Sequence, residues 1–133
     1  MAFQFSTATR NAALDAIESA IGSTATLEIR SGAVPANCAA ADAGTALATI
    51  TLPADWLAAA SNGSKTFLGT WTDTSADAGG TAGHFRVKAG GVCHIQGTVT
   101  LTGAGGDMTL DNTNIAAGQQ VTITSFTITA GGA

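Results

Sequence analysis

From Asp111 to Thr129 the chain reads DNTNIAAGQQVTITSFTIT, a polar turn followed by a long run in which apolar residues alternate with threonine. Val121 and Ile123 fall on one face of that run, Thr122 and Thr124 on the other. A period of two is the pleat of a half-buried β-strand, because successive side chains point to opposite faces of a sheet. The phase then slips, since Phe126 and Ile128 take the opposite parity. A run that keeps β-formers but swaps parity predicts a β-bulge at Ser125, or burial on both faces.

The same alternation recurs along most of the chain. Leu27 and Ile29 alternate with polar residues over 24–31, and Ala48, Ile50 and Leu52 alternate with Thr49 and Thr51 up to Pro53. Residues 65–72 read as a strand with Phe67 and Trp71 on one face, and short strands are expected at 106–112 and 119–129. Phe85 and Val87 face a second alternating run from Cys93 to Leu101 across Ala89-Gly90-Gly91. A three-residue loop pairs Val87 with Cys93 and Phe85 with Ile95 and keeps one face apolar. A two-residue Gly-Gly turn pairs Val87 with His94 and mixes the faces. GAVPANCAAADAGT (32–45) and DTSADAGGTAG (73–83) read as loops. PADWLAAAS (53–61), with Pro at a helical first position, predicts one or two helical turns.

One amphipathic helix is expected over 7–21. Leu14, Ile17 and Ile21 form its stripe, widened by Ala13 and Ala20. Ser6 or Thr7 caps its start and Gly22 stops it. About seven strands, one N-terminal helix and no βαβ rhythm define the fold class: all-β, an antiparallel β-sandwich of jelly-roll type. An immunoglobulin-like order or a small barrel is the alternative. A chain of 133 residues is expected to form one domain, with 1–22 as arm and helix and 23–133 as sandwich. With 5% aromatic residues and no Tyr, the expected core is small aliphatics around Phe67, Trp71, Phe85 and Phe126.

A net charge of −4 and a pI near 4.7 argue against nucleic-acid binding, which requires a basic patch. Mean hydropathy is +0.28, yet no apolar run is long enough to span a membrane and no cationic amphipathic stretch suggests a membrane surface. The opening residues lack the basic and apolar regions of a signal peptide, so synthesis in a cytoplasm is expected. The spacing of Cys38 and Cys93 fits no zinc pattern. Two buried thiols are the expectation in a reducing compartment, with a disulfide formed after release as the alternative.

No reaction centre emerges. Cys93 and His94 are adjacent on a strand and point to opposite faces, so they form no dyad. TGAGGD (102–107) lacks a Walker lysine and reads as a hairpin turn. His84 and His94 share a face without a carboxylate at their spacing. Asp73 with Asp77, and Asp107 with Asp111, match no calcium loop. Asn62-Gly63-Ser64 reads as a turn. No catalytic, cofactor-binding or metal residues are expected, and no cofactor. One surface feature remains: Arg86 is expected opposite His94, with Lys88, His84 and Gln96 beside them. That face is either a solvated outer surface or a docking patch for an acidic partner.

The phrases MAFQFSTATRNAALDAIE (1–18), GTAGHFRV (80–87), CHIQGTVT (93–100) and NTNIAAGQQVTITSF (112–126) resemble the small virion structural proteins of tailed bacteriophages and prophages. The resemblance spans the chain in style, without a diagnostic motif. Among such proteins it points to the capsid decoration or cement type, small β-sandwiches that bridge capsid subunits. It implies a virion location, the major capsid protein as partner, a homo-oligomer on the virion surface, and adhesion rather than chemistry. Tail or neck components share these features, and a receptor- or carbohydrate-binding tail module is a further alternative. The expected contacts are Phe3, Phe5, the helix stripe and loops 32–45 and 73–83, together with His84, Arg86, Lys88, His94 and Gln96.

Overall fold

The computed structural model describes residues 3–133; Met1 and Ala2, which open the phage-like phrase, lie outside the described residues. In chain order the elements are α1 (Thr7–Ile21), β1 (Thr26–Ser31), β2 (Ala46–Thr51), β3 (Ser64–Thr66), β4 (Trp71–Asp73), β5 (Gly80–Ala89), β6 (Val92–Leu101), β7 (Met108–Leu110), β8 (Asn114–Ile115), β9 (Val121–Ile123) and β10 (Thr127–Thr129). The fold is all-β and sandwich-like with one N-terminal helix. Its main sheet runs β2-β1-β5-β6-β7, with β8 on the start of β5. The ribbons β3/β10 and β4/β9 form the rest of the sandwich.

Cross-strand register explains which face is buried. Leu27 pairs with Ile50 on one side and Val87 on the other, and Ile29 with Ala48 and Phe85. All six are buried and, with Trp56, Trp71 and Phe126, belong to one apolar cluster. Rings stitch the layers together: Trp56 meets Trp71 at 6.1 Å between centroids, Trp71 meets Phe126 at 5.7 Å, and Phe126 meets Phe85 at 5.6 Å. Such tilted and edge-on pairs contribute about 0.5–1.5 kcal/mol each beyond area burial. The core is therefore organised around aromatic rings.

The helix forms as its sequence dictates. Ser6 accepts the Thr9 amide as N-cap, and Gly22, at φ 95°, ends the helix with its amide on Glu18 O. Leu14 is its one buried residue. Ala13 and Ala20 are exposed, so the stripe is narrower than expected. Docking relies instead on carboxylates. Glu18 Oε2 accepts the amides of Trp56 and Leu57 at 2.9 Å each, and Asp15 Oδ1 accepts Ala60 N and the Lys65 ammonium. These bonds explain why 53–61 is not helical: the amides of Trp56, Leu57 and Ala60 go to α1 and those of Ala58 and Ser61 to β3, while Leu57 bridges to Phe67.

Four local expectations are corrected. The parity slip near Ser125 is neither a bulge nor two-sided burial but a break between strands. β9 pairs with β4, β10 with β3, and each ribbon buries its own parity. Residues 65–72 divide in the same way at Gly69, whose φ is 78°. Loop 73–83 is shorter, because β5 already begins at Gly80 and pairs there with Ile115. TGAGGD is no hairpin: β6 and β7 are parallel, Val99 beside Met108. The connection doubles back along β6, where Asp107 accepts Thr98 N and Gly106 donates to Thr100 Oγ1. A side chain at Gly106 would sit 2.6 Å from that hydroxyl, so the close approach needs glycine. The reading of Asn62-Gly63-Ser64 as a turn holds, both central residues having positive φ between the paired Ser61 and Ser64.

Candidate functional site

The β5/β6 hairpin carries most of the residues singled out from sequence, and its register differs from the expected one. The turn is the two-residue Gly90-Gly91, with φ of 60° and 76° and Ala89 paired with Val92. Faces are not mixed, because the register shifts between Val87 and Lys88. Lys88 meets Cys93, Val87 meets Ile95, and His94 is the extra residue. A bulge thus does what the three-residue loop was expected to do. Arg86 consequently faces Gln96 rather than His94, and His94 stands exposed on the bulge, away from the others.

The polar face of this sheet is not open. Residues 32–45 lie across it as a strap, and beneath it His84 is fully buried, Arg86 is 2% exposed and Lys88 is nearly buried. The guanidinium of Arg86 donates to Asp42 Oδ1 at 2.8 Å, to Asn37 O at 3.0 Å and to Gln96 Oε1 at 2.9 Å. Lys88 Nζ lies 2.6 Å from Asp42 Oδ2 and 3.2 Å from Glu28 Oε1. Arg30 pairs with Glu28 and approaches Asp42 at 3.9 Å. The Lys88 hydrogen bond, aided by Arg86, holds the Asp42 carboxyl below its ordinary pKa against the opposing effect of desolvation. The expected docking patch is therefore an internal charged layer, covered by the chain itself.

The strap is held in a particular way. Gln96 Nε2 donates to Pro35 O at 2.7 Å, Arg30 Nε to Ala43 O at 2.9 Å, and Arg30 Nη2 to Gly44 O at 3.3 Å. His84 Nδ1 lies 3.0 Å from Gly32 O, which requires the proton on Nδ1. His84 Nε2 is buried without a partner. The sheet thus supplies the donors and the strap supplies main-chain carbonyls, so a strap of Ala and Gly suffices. Two of its side chains are specific: Asp42, and Cys38, which is bonded to Cys93 with 5.2 Å between Cα atoms. The two cysteines are therefore a disulfide and not the expected thiols. The strap carries Cys38 to the sheet's polar side, and the bulge at Cys93 to His94 sets Cys93 there to meet it.

Sequence reasoning identified Arg86, Lys88 and Gln96 but missed Asp42, Glu28 and Arg30. Period-two parity, which sets Glu28 and Arg30 on the face of Arg86, could have found two of them. Nothing local marks Asp42, a single carboxylate in an Ala-rich loop.

Phe3 and Phe5 form a second candidate surface. Their rings meet edge-on at 5.0 Å between centroids and are 65% and 44% exposed. The arm is anchored, since Phe5 N donates to Gly132 O at 2.7 Å and a Cβ on Gly132 would collide with the Phe5 ring. Loop 74–79 is committed elsewhere: the amides of Asp77 and Ala78 donate to Leu47 O, and Asp73 Oδ2 accepts Thr49 N, closing the outer edge of β2. Trp56 and Trp71 are fully buried and offer no stacking platform for a sugar. Among the described residues no group of three or more His, Cys, Asp or Glu is arranged to hold a metal ion, and no helix is long and apolar enough to cross a membrane.

Compared with models of protein families, with curated proteins and with solved structures, the chain matches none of them.

Proposed function

We propose that this protein is a non-enzymatic structural component of a tailed-bacteriophage virion, of the head decoration or cement type, that binds the major capsid protein and stabilises the shell. The observation that carries this reading is the Phe3–Phe5 pair: two exposed aromatic rings in edge-on contact, with Phe5 tied to a small β body by a main-chain bond to Gly132. Aromatic residues, Phe among them, are enriched at protein interfaces, and an arm already tied down at Phe5 has less freedom to lose on docking. The phage-like phrases of the sequence supply the partner. Many copies, each with a modest contact on a symmetric lattice, then bind by avidity.

The test is quantitative mass spectrometry of purified particles with heads separated from tails. Copy numbers comparable to the major capsid protein in the head fraction support the decoration role. A few copies, or enrichment with tails, move the protein to the tail or neck, and absence from particles ends the virion reading. The contact itself is tested with Phe3→Ala plus Phe5→Ala. Deleting residues 1–21 is a poorer choice, because α1 is bonded into the body through Glu18 and Asp15. The double substitution is expected to leave the thermal midpoint unchanged and to weaken binding to capsids by at least about 2 kcal/mol.

A further inference from the structure

We propose that strap 32–45 is a disulfide-latched cover over an acidic-peptide binding site on the β1/β5/β6 face, with Asp42 occupying that site as an internal stand-in for the ligand. The proposal is independent of where the protein works. Beneath the strap the sheet sets three cations, Arg30, Arg86 and Lys88, against one carboxylate, Glu28. In a chain with only five Lys and Arg and a net charge of −4, that concentration is a local reversal of sign. Asp42 bridges all three cations, at 2.8 Å to Arg86, 2.6 Å to Lys88 and 3.9 Å to Arg30. A carboxylate delivered by another chain meets the same donors in the same geometry once Asp42 is withdrawn.

The strap is built to be withdrawn. Glycines at both ends, Gly32 at φ 83° and Gly44 at φ 66°, adopt the left-handed conformation that makes sharp bends. None of its residues is fully buried, so little apolar area holds it down. Its other ties are the Asp42 ion pairs to Arg86 and Lys88, for which an external carboxylate can substitute, hydrogen bonds to carbonyls, which water can replace, and the Cys38–Cys93 bond. Both cysteines are half-buried and within reach of a small dithiol. Reduction breaks the S–S bond and makes two thiols. The dithiol supplies two electrons and two protons and becomes a cyclic disulfide. The strap then loses its covalent tie, and Asp42 competes with an external ligand only at an effective concentration on the order of mM.

The experiment compares the full chain oxidised and after dithiothreitol, with thiol alkylation to prove complete reduction. Acylation of Lys88 and elastase cleavage within 32–45, both mapped by mass spectrometry, report strap release. Fluorescence anisotropy of a labelled hexaglutamate peptide reports the site. Tryptophan emission from the buried Trp56 and Trp71 reports the body. The expected result is a body that stays folded, Lys88 labelling that rises roughly tenfold or more, and peptide binding that appears on reduction and fades with salt. Binding is lost again in Arg86→Gln plus Lys88→Gln. Asp42→Ala, with the disulfide intact, is expected to give detectable peptide binding, weaker than that of the reduced chain because the strap still covers the cations.

Lys88 remaining protected after complete reduction overturns the proposal, as does a released strap with no peptide binding. Collapse of the tryptophan signal on reduction also overturns it, since the bond then holds the body and not a cover. Binding of a single-stranded oligonucleotide in preference to the peptide overturns the assignment to a protein ligand.

Discussion

At the scale of single residues, carboxylates join parts of this protein that apolar contact alone does not. Glu18 accepts two main-chain amides from a segment with no repeating hydrogen-bond partners of its own. Glu18→Ala leaves both amides unpaired in a partly buried setting and is expected to destabilise by about 2–3 kcal/mol in urea titration, with Glu18→Gln retaining part of the loss. Asp15 and Asp42 are both held below the ordinary carboxylate pKa, Asp15 chiefly by the Lys65 hydrogen bond and Asp42 chiefly by that of Lys88. Carboxyls depressed in the folded state contribute stability that is complete above the unfolded value of about 3.9 and lost as pH falls through the folded values. The thermal midpoint is therefore expected to hold from pH 7 to about pH 5 and to drop below about pH 4. Asp42→Asn should flatten part of that drop, and an unchanged acid limb in this variant would remove Asp42 from the account. None of these roles was visible in sequence. On a helical wheel Glu18 borders the stripe beside Leu14 and Asp15 lies farther round, and only the fold shows what lies across from them.

At the scale of elements, local pattern was a good guide to where strands and the helix lie and a poor one to how strands pair. Parity predicted the apolar face of β1, β2, β5 and β9 because burial enforces a period of two along any strand. Pairing depends on turns, and turns on a few glycines. The Gly90-Gly91 turn places both residues at positive φ, so Ala at either is expected to cost about 1–2 kcal/mol. Gly97 is different: its φ is unexceptional, but a Cβ there would lie 2.8 Å from both the Phe85 ring and the Asp107 carboxylate. Gly97→Ala should cost about 1–3 kcal/mol through overpacking, measured by chemical denaturation. The bulge that restores parity after the turn was illegible because no residue type marks it. The doubling-back of 102–107 was missed for a related reason. Glycine-rich segments permit a hairpin and a return along the same strand equally well, and the choice lies with Thr98, Thr100 and Asp107, which the chain brings together only after folding.

For the whole molecule, the disulfide and the strap turn a two-faced sheet into one buried on both sides over its centre. The Cys38–Cys93 bond closes a loop of 55 residues, for which chain entropy gives about 4 kcal/mol of stabilisation. Cys38→Ala plus Cys93→Ala is expected to lower the thermal midpoint, less than that figure implies if the unfolded chain is compact. The sandwich class was legible from composition and parity, as was the single helix. The covering of the polar face was not, since an Ala/Gly loop that binds through its carbonyls has no side-chain signature. The bond between Phe5 and Gly132 carries a separate consequence. Gly132 comes back to Phe5, so the path between them is close to a ring, and that ring can be opened at an exposed turn instead. Joining the two ends through a short glycine bridge and reopening the chain at Gly90-Gly91 should yield a molecule with the same layers in a rotated order.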